Sequence, residues 1–341
     1  TAFTGIYALA IANFGLPVAS AVLLGMAHLA WVAAAFFLLR GILTGLAFWL
    51  GLIFITVLPT TYGSFGIFSY SEAFLTARVW AEPPALLAVA CIQRGNRLTA
   101  MLSLAFAAAM HPIIALPAAL FVFFCGFQGR EKLVWIAVGV GGLALLSVAQ
   151  VPLVTSLTKT MDPLWLTLSK TRAPFIFLDL WKVTEYREPM FLALLLTTAA
   201  LVSARGNSRL WWSAIGVLLV GMGLSLLVVY WPAVLLVQIQ PWRVLWLTKI
   251  LAVVAGMSLL QDGWSVSPYS RILLGALVTS ASSLDSTGLV CAVPLCALIV
   301  LRHRFRFEPK LPPWLPRLAC GAIVLVIGEK IFWAALLSSS F

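Results

Sequence analysis

From Pro17 to Leu39 the chain runs 23 residues without an Asp, Glu, Lys or Arg, and apolar runs of this kind recur from end to end. A helix of that length is about 34 Å long, enough to cross a hydrocarbon core of about 30 Å. In lipid every backbone polar group must find an internal partner, which leaves helices and closed barrels. Barrel strands alternate apolar and polar residues, whereas these runs are continuous, so the barrel is excluded. The expected class is all-α: a polytopic helical membrane bundle, one transmembrane domain over residues 1–341. Composition agrees, at 62% hydrophobic, 10% charged and a mean hydropathy of +1.05, well outside the soluble globular range. The net charge of +11 sits mostly in short turns between apolar runs, where Lys and Arg mark the cytoplasmic side. Membrane lipid is therefore an expected partner and nucleic acid is not. Cys91, Cys125, Cys291, Cys296 and Cys320 all lie in apolar runs without metal-ligand spacing and read as small core residues.

The order of the runs gives a topology. Thr1 to Phe14 reads as an interfacial helix or the tail of a span, and an N-terminal portion of the native protein is expected to precede it. Ile42 to Leu58 follows the turn Arg40-Gly41. A polar loop, Pro59 to Tyr70, then feeds a helix expected to run through Glu72 to about Ile92. Between Arg97 and the cluster Arg130-Glu131-Lys132 lie 32 residues broken at His111-Pro112. One span here would place one basic cluster outside. Two short helices, Leu98 to Met110 and Ile113 to Phe127, keep both inside, and the hairpin is the expectation. Leu133 to Val151 returns outward to a polar region at about 152–189, where interleaved apolar residues indicate short amphipathic helices at the interface. Met190 to Val202, Leu210 to Tyr230 and Trp242 to Leu260 follow. A second short hairpin spans Arg271 to Leu301 with Asp285 at its tip, and Leu318 to Leu337 closes a count of about twelve spans.

Charges at bilayer depth are costly and line cavities or pathways, so they mark candidate sites. Glu72, Arg78 and Glu82 fall within eleven residues at the mouth of one apolar run. Arg78 and Glu82, four apart, are expected to pair along a helix, leaving Glu72 free for chemistry in a wet cavity. The plainer reading is an interfacial helix start whose charges are solvated. His111-Pro112 breaks a helix on the face that carries Glu72, and a near-neutral side chain there suits proton transfer or phosphate contact. Gln238, Gln240, Trp242 and Arg243 form a third group, around Pro241. A planar guanidinium beside amides suits a phosphate; an aromatic and arginine anchor at the interface is the alternative. Asp162, Asp179, Glu185 and Glu188 belong mainly to a solvated face. No P-loop, dinucleotide glycine pattern, HExxH or GxSxG is present, so ATP-driven transport by this chain alone is not expected.

The run Ser71-Glu72-Ala73-Phe74-Leu75-Thr76-Ala77-Arg78 with Glu82, the turn His111-Pro112, and Gln240-Pro241-Trp242-Arg243 together resemble bacterial multi-pass glycosyltransferases of the GT-C type. The resemblance in overall plan covers nearly the whole chain. It implies transfer of a sugar from a polyprenyl-phosphate carrier to an acceptor at the outer face of the bacterial inner membrane. Arg243 and Arg78 would hold the carrier phosphate, Glu72 would activate the acceptor hydroxyl, and His111 would orient a phosphate or relay a proton. No cofactor is assigned, a divalent cation being the one candidate. The chain departs from the family at one point. The catalytic carboxylate of that superfamily follows the first span, and Thr1 to Pro17 contains no acidic residue. Either that acid lies upstream, or this relative does something else. The rival functions are a transporter or lipid-linked-sugar flippase using the same cavity without chemistry, and a non-catalytic component of envelope polysaccharide assembly.

Overall fold

The computed structural model describes residues 2–57, 61–70, 72–151, 156, 159–203, 205–264, 266–283 and 286–306, with isolated positions beyond 306. Asp285, Cys320 and all of the run Leu318 to Leu337 except Leu318, Gly321 and Leu325 lie outside the described residues. The first three helices are α1 (Ala2–Phe14), α2 (Leu16–Arg40) and α3 (Gly45–Val57), followed by a ribbon of β1 (Thr61–Tyr62) and β2 (Phe68–Ser69). Next come α4 (Ala77–Gln93), α5 (Arg97–Met110), α6 (Pro112–Gly126) and α7 (Arg130–Val148). An outer segment holds α8 (Pro163–Arg172) and three 3-10 turns, Pro174–Ile176, Leu178–Leu180 and Val183–Tyr186. The chain continues through α9 (Arg187–Val202), α10 (Arg205–Tyr230), α11 (Val234–Ile239), α12 (Val244–Trp264), α13 (Pro268–Ser283) and α14 (Ser286–Phe305).

Among the described residues five helical stretches are long and apolar enough to cross a membrane: Leu16–Arg40, Arg130–Val148, Asn207–Tyr230, Val234–Gly263 (which joins α11 and α12 through the turn at Pro241) and Gly288–Phe305. The remaining apolar helices are shorter, among them α5 and α6, which form the expected hairpin about His111. Local chemistry explains that break. Pro112 opens α6 at a position where its missing N–H costs nothing. The His111 side chain caps the same helix, its Nδ1 accepting from the Ile114 N–H at 3.3 Å. At the other end Asn96 caps α5 by accepting from the Thr99 N–H at 3.1 Å. At 14 residues α5 is about 21 Å long, too short to cross alone. The second hairpin is present as α13 and α14.

Helix α4 sits centrally, packed by α2, α5 and α6. Its Ala81, Ala85, Ala88 and Ala90 are fully buried, and small side chains let neighbouring backbones approach closely where no hydrophobic force separates helix from lipid. A second group gathers on α12, which contacts α3, α9, α10 and α13. No residue of α7 is buried.

Three corrections concern the expected elements. The helix begins at Ala77, with extended backbone at Thr76, so Glu72 lies in the preceding loop and not on a helix. Residues 159–188 are tied to the rest of the chain as well as solvated: Asp162 and Asp179 make contacts within the segment, to the Trp165 N–H at 2.9 Å and to Lys170 at 2.6 Å, while the Met161 N–H donates to the Pro232 carbonyl at 3.0 Å and Glu188 pairs with Lys249 at 2.5 Å. Cys91 and Cys296 are buried, but Cys125 is half-buried and Cys291 exposed, so the core reading fails for the last.

The ribbon is stitched onto the second group. Lys249 Nζ donates to the Thr61 carbonyl at 2.7 Å and pairs with Glu188 at 2.5 Å. Glu188 also accepts from the Gly63 N–H at 3.1 Å, and Glu185 from the Phe65 N–H at 2.9 Å. Tyr70 Oη donates to the Trp246 carbonyl at 2.6 Å. Gly63 is required at its position: φ is 75°, and a Cβ there would lie 2.2 Å from the Trp242 ring.

Candidate functional site

The loop carrying Glu72 is held by short-range contacts. Arg78 Nη2 lies 2.5 Å from Glu72 Oε1, and Thr76 Oγ1 donates to Glu72 Oε2 at 2.8 Å. The Glu72 carbonyl meets His28 Nε2 at 3.2 Å, from α2. The expected Arg78–Glu82 pair is therefore absent, because the loop folds Glu72 back over the first turn of α4 and brings it to the guanidinium first. Glu72, expected in a wet cavity, is 5% exposed. Glu82 is 2% exposed, and no cation among the described residues lies within 4 Å of it.

Phe68 of β2 is the hub of the site. The Arg78 Cζ lies 4.7 Å from its ring centroid and the Arg243 Cζ 4.1 Å. A buried cation against an aromatic face gains about 2 kcal/mol, which helps hold two guanidiniums in one apolar surrounding. Both guanidiniums touch one ring, and Arg78 acts electrostatically on Arg243. Arg243 is 7% exposed, and its Nε donates to Gln240 Oε1 at 2.7 Å. Gln240 adopts a left-handed backbone conformation (φ 48°) between α11 and the 3-10 turn Pro241–Arg243, which aims both side chains inward. Among the described residues no carboxylate lies within 4 Å of Arg243.

Several buried donors around Phe68 have no acceptor: Arg78 Nη1, Arg243 Nη1, Trp242 Nε1 and Tyr62 Oη. Trp242 lies 5.5 Å and Tyr62 6.1 Å from Phe68, ring to ring. Native proteins leave few buried donors unpaired, and a phosphate offers acceptors of the kind these lack. Burial, first, and then the charge of Glu82 push the Tyr62 hydroxyl pKa upward, so it stays a neutral O–H donor. Glu82, Arg243, Arg78 and Glu72 all act electrostatically on Tyr62. Arg243 and Arg78 act likewise on His111. With His111 Nδ1 accepting a helix N–H, the ring proton is assigned to Nε2.

Of the sequence-predicted residues, Glu72, Arg78, Glu82, His111, Gln240, Trp242 and Arg243 converge. Gln238 does not: it is exposed on α11 and takes no part. No group of three His, Cys, Asp or Glu able to hold a metal ion occurs among the described residues. Sequence reasoning missed Tyr62 and Phe68, because an aromatic residue in a loop carries no signal of its own, and His28, although a histidine within the apolar run Pro17 to Leu39 is a legible one. It also missed the Lys249–Glu188 pair, although a lysine within the apolar run Trp242 to Leu260 is a legible one. Comparison with protein-family models, with curated proteins and with solved structures finds no match.

Proposed function

We propose that this chain is a membrane glycosyltransferase of GT-C-like plan that takes a sugar from a polyprenyl-phosphate carrier at the outer face of the bacterial inner membrane. The observation that carries the reading is the pair of guanidiniums on Phe68, each with a buried Nη1 lacking an acceptor, one of them without a carboxylate partner. Two planar forks and a neutral histidine N–H suit the phosphate of such a carrier. They would stabilise the charge that gathers on it as the sugar leaves. The short α5–α6 hairpin supports the reading too, since its tip brings His111 to the same cluster within an apolar bundle. In the transfer the acceptor oxygen bonds the anomeric carbon, the carbon–oxygen bond to phosphate breaks with its electron pair going to the phosphate, and the acceptor proton passes to a carboxylate. Glu72, held in place by Arg78 and Thr76, is the carboxylate that takes it.

The test reconstitutes the chain in liposomes with a labelled polyprenyl-phosphate sugar and a mixture of envelope glycan acceptors. Label arriving on the acceptor, and lost on Arg243→Lys, supports the transferase. Carrier that crosses the bilayer with its sugar still attached identifies the flippase instead.

A further inference from the structure

The Phe68 site holds four formal charges, positive on Arg78 and Arg243 and negative on Glu72 and Glu82, and three of them are engaged. Arg78 and Glu72 pair with each other, while Arg243 is held by Gln240 and lies on Phe68. Glu82 is almost fully buried, with the Trp31 indole beside it and no cation within 4 Å among the described residues. The helix around it is short of donors. Pro83 and Pro84 follow inside α4 and bring no N–H, so the carbonyls of Val79 and Trp80 lose their usual partners. The side chain of a helical residue leans back toward the preceding turn, and for Glu82 that is the turn carrying these carbonyls. A carboxylate among acceptors is stabilised by a proton, which supplies the missing donor.

Charge balance points the same way. With Glu82 ionised the four charges cancel, and an entering oxyanion would leave the buried cluster negative. A proton on Glu82 restores neutrality, and uncompensated charge in such a place is costly. We infer that the site takes up an oxyanion and a proton together, the proton residing on Glu82. This rests on the reading of Arg78 and Arg243 as a phosphate clamp, and it holds for a transferase and a carrier alike.

Other titratable groups face the cluster. His28 comes from α2, His111 from the α5–α6 turn, and Tyr62 and Tyr70 from the ribbon; α1 presents Tyr7. Arg40 and Arg97 belong to the far end of α4, where Gln93 meets Gly41. Burial raises the pKa of both ribbon tyrosines, so they keep their protons. His111 is the competing proton acceptor and supplies the control.

The sign follows from linkage. A bound anion raises the proton affinity of Glu82, so binding is fully developed where Glu82 is already protonated and weakens as pH rises. The experiment measures binding calorimetrically in lipid nanodiscs, in buffers of differing ionisation enthalpy, from about pH 6 to pH 10. The probes are methyl sulfate and a short saturated prenyl sulfate, both singly charged and neither titrating in that range. Wild type should take up one proton per anion and lose about ten-fold in affinity per pH unit over the window of uptake. Glu82→Gln should bind independently of pH, and at high pH more tightly than wild type. His111→Asn should keep the uptake, and Glu82→Asp should move its pH without abolishing it. Binding of the prenyl sulfate alone marks a lipid-borne ligand, and binding of both a soluble one. Anion binding without proton uptake, or uptake abolished by His111→Asn and kept by Glu82→Gln, overturns the inference and leaves the clamp standing. Failure of wild type to bind either sulfate removes the clamp, and the coupling with it.

Discussion

At the scale of single residues, the two carboxylates exchange the roles that their spacing implies. An i, i+4 pairing of Arg78 with Glu82 is reasonable for a continuous helix, but the structure starts the helix at Ala77 and gives Arg78 to Glu72. Glu72→Gln should therefore lower folded yield, since removing one partner of a buried pair costs up to about 3–5 kcal/mol. Glu82→Gln should spare yield. Size-exclusion profiles of the two variants in one detergent check this, and equal loss from both contradicts the assignment. Gly63→Ala tests a different constraint, because a Cβ at that position meets the Trp242 ring and the backbone is in a glycine conformation. Overpacking of this kind costs about 1–3 kcal/mol. A lowered thermal midpoint together with weakened anion binding is expected, because the ribbon that would have to shift carries Phe68.

Among elements, the ribbon and the α5–α6 hairpin show what the sequence makes legible. The hairpin could be read because the basic clusters at Arg97 and Arg130 and the His111-Pro112 break constrain the same 32 residues from both ends. The convergence of Glu72, Arg78, His111 and Arg243 followed from placing these helix ends on one side. The ribbon could not be read. Its strands are two residues each, and they persist through cross-chain contacts to Glu185, Glu188, Lys249 and Trp246 that lie more than a hundred positions away. A four-variant cycle tests the central strap. Glu188→Gln, which strands the buried Lys249, should destabilise by up to about 3–5 kcal/mol, Lys249→Met, which strands the half-buried Glu188, by less, and the double variant should recover much of the larger loss. Additive losses in thermal unfolding would show that the two residues act independently.

On the scale of the whole molecule, helical class and the positions of most spans follow from hydropathy, since lipid leaves a chain this apolar few alternatives. The number of crossings follows less directly. Among the described residues five helical stretches reach crossing length, and the short ones depend on neighbours that cover their ends. Cysteines placed at 96, 207 and 303 should be labelled only from the cytoplasm, and those at 64 and 160 only from outside. Opposite labelling at 96 and at a position within 129–132 would remove the hairpin and the gathering of charges that it explains. That gathering is the centre of the account, and its most direct test is binding of a polyprenyl-phosphate sugar to wild type and to Arg243→Lys in matched nanodiscs. Lysine keeps the charge and loses the two-pronged fork, a contact worth about 1.5–3 kcal/mol. The predicted result is a folded variant with affinity reduced about ten- to a hundred-fold; unchanged affinity would make Arg243 an anchor for the fold and contradict the phosphate site.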